Sequence, residues 1–145
     1  MQNLAVALNN EIRKRIPFGN MEVQRAVDGT RKLKFERLCY IAKLYGLKLA
    51  MKRPNDEKYC FYGERAHEFV KQVAFLFVEK YDSEEGERLD SHAQSLGVKP
   101  KFFSRCVQRK VSPDVSDIEI LADHLGCLFK FVERDCEDME RDEIK

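Results

Sequence analysis

Residues 17–46 match residues 97–126 at a constant offset of 80 positions, without a gap. Arg25 falls on Arg105, Val27 on Val107, Leu38 on Ile118, Ile41 on Leu121, Ala42 on Ala122 and Gly46 on Gly126. At the front edge Ile16 falls on Leu96 and Phe18 on Val98. The apolar stripe repeats even where identities do not. An internal repeat constrains the fold because both copies must build the same small unit. The 145 residues leave room for one domain or two small ones.

The second copy is the clearer one. A short helix is expected from about Pro100 to Arg109, preceded by Leu96, Gly97 and Val98. A longer one starts near Asp114, with Val115, Ile118, Leu121, Ala122 and Leu125 spaced as on one buried helical face and Gly126 as its stop. In the first copy the matching helices run over about 21–28, closed by Gly29, and about 34–45, closed by Gly46. A further helix over 4–16 precedes them, and Pro17 and Gly19 interrupt the chain between. Past each glycine the pattern turns to period two: Leu47–Lys52, then Tyr59–Tyr62 after the turn signal Pro54-Asn55-Asp56, and Leu128–Val132. The first two of these suggest a hairpin. Residues 64–81 form a long helix candidate, apolar over more than half its circumference and so expected to be covered on two sides. A buried strand at Val73–Val78 is the weaker alternative. We expect the long helix to serve the second copy and to pack also on the first, or on a partner chain.

A short helix after a Gly-Val turn, a polar connector and a longer amphipathic helix make up a helix-turn-helix pattern. At Gly97-Val98, Ser104-Arg105, Ser112-Pro113, Leu121-Ala122 and Leu125-Gly126 the chain resembles the Cro/CI-like (Xre-type) DNA-binding family. The first copy resembles it too, from about residue 8 to residue 53. The resemblance implies a mainly α fold: two lambda-repressor-like helix-turn-helix units, short β-strands after each, and a central long helix. The expected division is 1–62 for the first unit with its hairpin, 63–135 for the second with its long first helix, and 136–145 for an acidic tail. Some regulators of this type, antitoxin components among them, dimerise through such a strand.

In that family the helix after the turn enters the major groove, with base readers at its start and phosphate contacts around it. Carried over to the second copy, the implied DNA-contacting residues are Lys99, Lys101, Phe102, Arg105, Gln108, Arg109 and Lys110. In the first copy they are Asn20, Gln24, Arg25, Arg31 and Lys32, with Arg13, Lys14 and Arg15 just before the turn. Arg and Lys can read guanine; Asn and Gln can read adenine. Three positions depart from the pattern. Phe102 replaces a small polar residue and either presses on a thymine methyl or joins the core. Leu89 stands where a polar residue is usual, and His92, read as a semi-buried histidine, where a buried leucine is usual.

Net charge is only +1, but it is divided unevenly. Residues 1–53 hold twelve Lys/Arg against four Asp/Glu; residues 54–145 hold fourteen against twenty-one. The basic half suits a polyanion, and the acidic half suits a protein partner. Two readings follow. The first is a sequence-specific DNA-binding transcriptional regulator of bacterial or phage origin, cytoplasmic, with duplex DNA as its partner and a homodimer as one arrangement left open. The second is a protein-interaction module, antirepressor or antitoxin-like, that has kept the scaffold and lost DNA binding.

Other classes find no support in the residues. There is no Gly-rich phosphate loop, G-x-S-x-G or H-E-x-x-H, so no enzyme is expected. Cys39, Cys60, Cys106, Cys127 and Cys136 are scattered, with no C-x-x-C pair and no histidine at ligand spacing. They read as free thiols of a reducing cytoplasm, with no metal and no cofactor expected. No apolar run is long enough to span a membrane, and no signal peptide is recognisable.

Overall fold

A computed structural model of the chain describes residues 2–81 and 86–135; the acidic tail expected at 136–145, with Cys136, lies outside them. Helix α1 spans Leu4–Arg15, α2 Met21–Val27 and α3 Phe35–Leu44. Strands β1 (Leu47–Lys52) and β2 (Phe61–Gly63) follow as an antiparallel pair, with Ala50 opposite Tyr62. Then come α4 (Ala66–Tyr81), α5 (Gly86–Ser95), a π-helical turn at Ser104–Gln108, α6 (Val115–Leu125) and β3 (Leu128–Glu133). The protein is mainly helical with one small sheet, as expected.

The helix ends follow from local chemistry. Asn3 caps α1 by accepting from the Val6 amide at 3.1 Å, and Asn20 caps α2 by accepting from Val23 at 3.0 Å. Gly126 closes α6 in the left-handed conformation (φ 79°), which a side chain rarely adopts.

The sheet has the order β2-β1-β3, so the strand that ends the second copy pairs with the strand that ends the first. In this antiparallel pair Ala50 lies opposite Lys130, the residue 80 positions further on. A second antiparallel bridge joins Lys34 to Asp114, again 80 apart. Its flanking bonds are Phe35 N–H to the Pro113 carbonyl (2.8 Å) and Val115 N–H to the Leu33 carbonyl (3.0 Å), each the repeat image of the other. Any antiparallel pair has a local two-fold axis. Here both pairs place a residue opposite its own repeat equivalent, so β1 and β3, and the starts of α3 and α6, are related by a local pseudo-two-fold axis, and the offset of 80 sets α1 against α5 and α2 against the π-helical turn.

Leu49, Met51, Phe129 and Phe131 line the inner face of the sheet, and Phe35 and Phe69 meet Phe129 at steep ring angles, with ring-centre distances of 6.5 and 5.9 Å. Helix α4 buries Phe69, Val70, Val73 and Phe77 and touches α3 and β2 of the first unit as well as α5, α6 and the π-helical turn of the second. That two-sided covering is what its composition predicts, although Phe75 remains exposed.

One equivalence drawn from the repeat fails. Val98 is buried but Phe18 is 84% exposed. The left-handed glycine of the turn precedes Val98 (Gly97, φ 107°), whereas in the first copy it follows Phe18 (Gly19, φ 69°). The chain therefore reverses at a different point and turns Phe18 outward.

Candidate nucleic-acid interface

In the second unit the segment expected to read DNA is held from two sides. Asp90, buried on α5, accepts from the Phe103 amide at 2.7 Å and from the Ser104 hydroxyl at 2.5 Å. Asp90 thus fixes the start of the helical segment, a task usually done by a cap from the preceding residue. Beneath it Phe102 and Phe103 are both buried, edge to face, with Cys106 one turn on. Phe102 is fully buried, so it belongs to the core and cannot press on a base; the exposed position assigned to it is corrected. Two adjacent large apolar side chains must reach the same core, and they settle the orientation of the segment. Lys101 (φ 58°) and Lys110 (φ 55°) bracket it in the left-handed region.

Lys99 is also committed. It pairs with the Asp114 carboxylate at 2.5 Å, on the opposite side of that group from Lys34 at 2.9 Å. Asp114 is buried and belongs to the bridge on the pseudo-two-fold axis. Burial works against its ionisation, but the hydrogen bonds from Lys99 and Lys34 prevail and hold its carboxyl below the usual value. Lys99 is therefore a positioning cation that ties the turn to the axis. What stays open on the second unit is Lys101, Gln108, Arg109 and Lys110, all exposed, with Arg105 half-buried beside them.

On the first unit several expected base or phosphate contacts are occupied internally. The Asn20 Oδ1 caps α2, and its Nδ2 donates to the Tyr45 hydroxyl at 3.1 Å. The Gln24 carbonyl accepts from Asn9 and Arg13, and its amide donates to Asp28 at 3.0 Å. Lys14 pairs with Glu11 at 3.0 Å, and Arg15 with Glu133 at 2.9 Å. The cluster Arg13-Lys14-Arg15 is thus largely neutralised. Arg25, Arg31 and Lys32 are exposed.

Arg25, Arg31, Lys32, Lys101, Arg105, Arg109 and Lys110 have no side-chain hydrogen bond or ion pair among the described residues. Most acids beside them are matched, Glu22 by Arg37 at 2.8 Å, Asp114 by two lysines and Glu36 by Arg65 at 2.6 Å, while Asp28 meets only the Gln24 amide. The uncompensated charge in these stretches is therefore positive. Arg31, Lys32, Arg109 and Lys110 lie in the two connectors that lead to the Lys34–Asp114 bridge, on either side of the axis.

Sequence reasoning missed Asp90, Asp114 and the stack that holds α5. In that stack His92 lies on Tyr81 at 4.4 Å, and the Tyr81 hydroxyl meets His124 Nε2 at 2.6 Å. His92 is semi-buried as expected, and Leu89 is buried. Neither missed acid carries a motif; each is recognisable only once the segments it joins are in place.

Two other surfaces stand out. A cleft of about 350 Å³ between α4 and the second connector is lined by Glu36, Arg65, His67, Cys106 and Lys110, among others. An apolar patch joins Phe18 and Met21 (70% exposed) to Tyr40 and Leu44 on α3; the Glu22–Arg37 and Asn20–Tyr45 contacts hold the two helices together there. Among the described residues no group of three or more His, Cys, Asp or Glu is placed to hold a metal ion, and no helix is long and apolar enough to cross a membrane. Compared with protein-family models, characterised proteins and solved structures, the chain matches none, so its functional reading rests on its own residues.

Proposed function

We propose that the protein binds duplex DNA as a transcriptional regulator of bacterial or phage origin, through two helix-turn-helix units of Xre type. One observation carries the reading. Seven cations with no side-chain hydrogen bond or ion pair among the described residues fall in corresponding segments of the two copies, while Glu22, Glu36 and Asp114 beside them are paired. Duplex DNA has local two-fold axes of its own, and a two-fold protein meets it by aligning the two. Lys101, Arg105 and Gln108 face base edges in the major groove, and Arg109, Lys110, Arg31 and Lys32 face phosphates. Each neutralised phosphate releases counterions, so these four contacts weaken binding about 150-fold between 50 and 200 mM salt. Fluorescence anisotropy with mixed duplexes across that range tests the reading. Steeply salt-dependent binding supports it, and the lack of any binding at low salt refutes it.

A second reading has its own observation. The patch of Phe18, Met21, Tyr40 and Leu44 occupies the first unit where a DNA-reading surface would be polar, and an exposed apolar patch of this kind suits a protein partner. An antirepressor or antitoxin-like role rests on it. The lack of DNA binding, together with self-association or partner binding lost on Met21→Glu, favours this reading over the first.

A further inference from the structure

We propose that a single chain, rather than a homodimer, occupies both halves of its duplex site, and that the site is an inverted repeat with two unlike halves. The proposal rests on the DNA-binding reading above and adds stoichiometry and the form of the site.

The first ground is the pseudo-two-fold axis. It passes through the β1–β3 pair and the Lys34–Asp114 bridge. Both are the kind of self-complementary contact that two identical subunits make across a dimer axis. Here they form within one chain, so the two copies meet through the kind of two-fold contact that an inverted repeat calls for. The second ground is that the β3 edge, on the side of the second copy, is partly closed to further pairing. On its far side β1 carries β2. The free side of β3 is plugged by Gln2, whose Nε2 donates to the Phe129 carbonyl at 3.1 Å and whose Oε1 accepts from the Phe129 amide at 2.9 Å. Helix α1 lies against the same strand.

The third ground is what equivalent positions carry. Arg25 and Arg105 coincide, which gives both halves a common guanine preference. Elsewhere the units differ. Lys101 is matched by Met21, so a donor suited to guanine in one half faces a thioether suited to a thymine methyl in the other. Gln108 is matched by Asp28, and the phosphate-binding pair Arg109-Lys110 by Gly29-Thr30. The second unit therefore reads its half with more donors, and the first reads with fewer.

The test begins with selection of duplexes from a randomised pool by the full chain. The mass of the complex is then measured by light scattering, and the bound site is mapped by hydroxyl-radical footprinting. We expect one chain per duplex and two protected windows on one face, about one helical turn apart. Arg105→Ala should abolish base preference in one window and Arg25→Ala in the other, each lowering affinity about tenfold or more. Arg105→Lys, which keeps the stem of this half-buried side chain, controls for packing. Met21→Lys should shift preference in the Arg25 window alone, from thymine towards guanine. Two chains per duplex, a single window, or both arginine substitutions acting on the same window would overturn the proposal while leaving DNA binding intact. A pool that yields no enriched duplex overturns the DNA-binding reading, and this proposal with it.

Discussion

Replacing Asp114 by asparagine removes the charge on which the two units converge and leaves the shape nearly unchanged. The carboxylate is 5% exposed and accepts from Lys34 at 2.9 Å and Lys99 at 2.5 Å. Hydrogen bonds to a charged group contribute about 1.5–3 kcal/mol each. Stranding a fully buried charge costs about 3–5 kcal/mol, but these ammonium groups do not suffer that, because they can return to water. Their side chains are 53% and 41% exposed. Asparagine also keeps one acceptor. The expected loss at pH 7 is therefore about 2 kcal/mol, or about 4–8 °C in melting temperature for a chain of this size. The pH dependence follows from the depressed carboxyl. Its contribution is complete above the unfolded value near 3.9 and is lost as the pH falls through the lower folded value. Urea titrations of both proteins should thus show a gap that is full above about pH 5 and narrows below pH 4. Equal midpoints at pH 7, or a gap that stays constant into acid, would refute the account of Asp114 as the charged tie on the axis.

Phe102→Ala should destabilise the fold by about 3–5 kcal/mol in denaturant titrations, as for a large aromatic removed from a core; a residue facing DNA would leave stability unchanged. At Gly63 an added Cβ would lie 2.6 Å from Phe69 Cε2, inside a ring cluster with Phe35 and Phe61. Gly63→Ala should therefore cost about 1–3 kcal/mol by the same titration. Among the described cysteines only Cys60 is exposed. Burial pushes the thiols of Cys106 and Cys127 up to about 11 and that of Cys39 higher still. A thiol reagent at pH 8 should accordingly modify Cys60 in the native chain and spare these three until it unfolds, with mass mapping of the labelled peptides as the check.

Most helices and strands were legible because period and punctuation agree at them, but α5 was not: the long helix over 64–81 was expected to open the second unit, whereas α5, 80 residues after α1, holds that place. The face of α3 with Phe35, Leu38, Ile41 and Ala42 and the face of α6 with Ile118, Leu121 and Ala122 are the buried ones, and Gly126 stops α6 as its type requires. β2 came out two residues late, since Tyr59 and Cys60 carry β propensity but lie outside the ladder, which begins at Phe61. What the sequence hid is what depends on contact at a distance. The pairing of β1 with β3 leaves no local trace, because a half-buried strand looks the same whichever partner it takes. Phe102 was ambiguous because adjacent phenylalanines give no period to choose a face. The Arg13-Lys14-Arg15 cluster looked free because Glu133, which neutralises Arg15, is distant in sequence. At Phe18 the repeat itself misled: identity of offset does not carry over the placement of a left-handed glycine.

The Lys34–Asp114 bridge and the β1–β3 ladder have a consequence for how this protein responds to dilution and to change. Two separate subunits joined by such contacts would come apart as their concentration fell, and their join would have to overcome the lost freedom of association. Held in one chain, the halves meet at an effective concentration set by the tether, typically millimolar for short links, and independent of how much protein is present. A substitution in a homodimer also enters twice. A loss of 1 kcal/mol per subunit becomes a factor of roughly 30 in the assembled equilibrium, against roughly 5 here, where it enters once. Each half of this molecule can therefore be altered at a single site, by selection or by design, while its counterpart across the axis is left untouched.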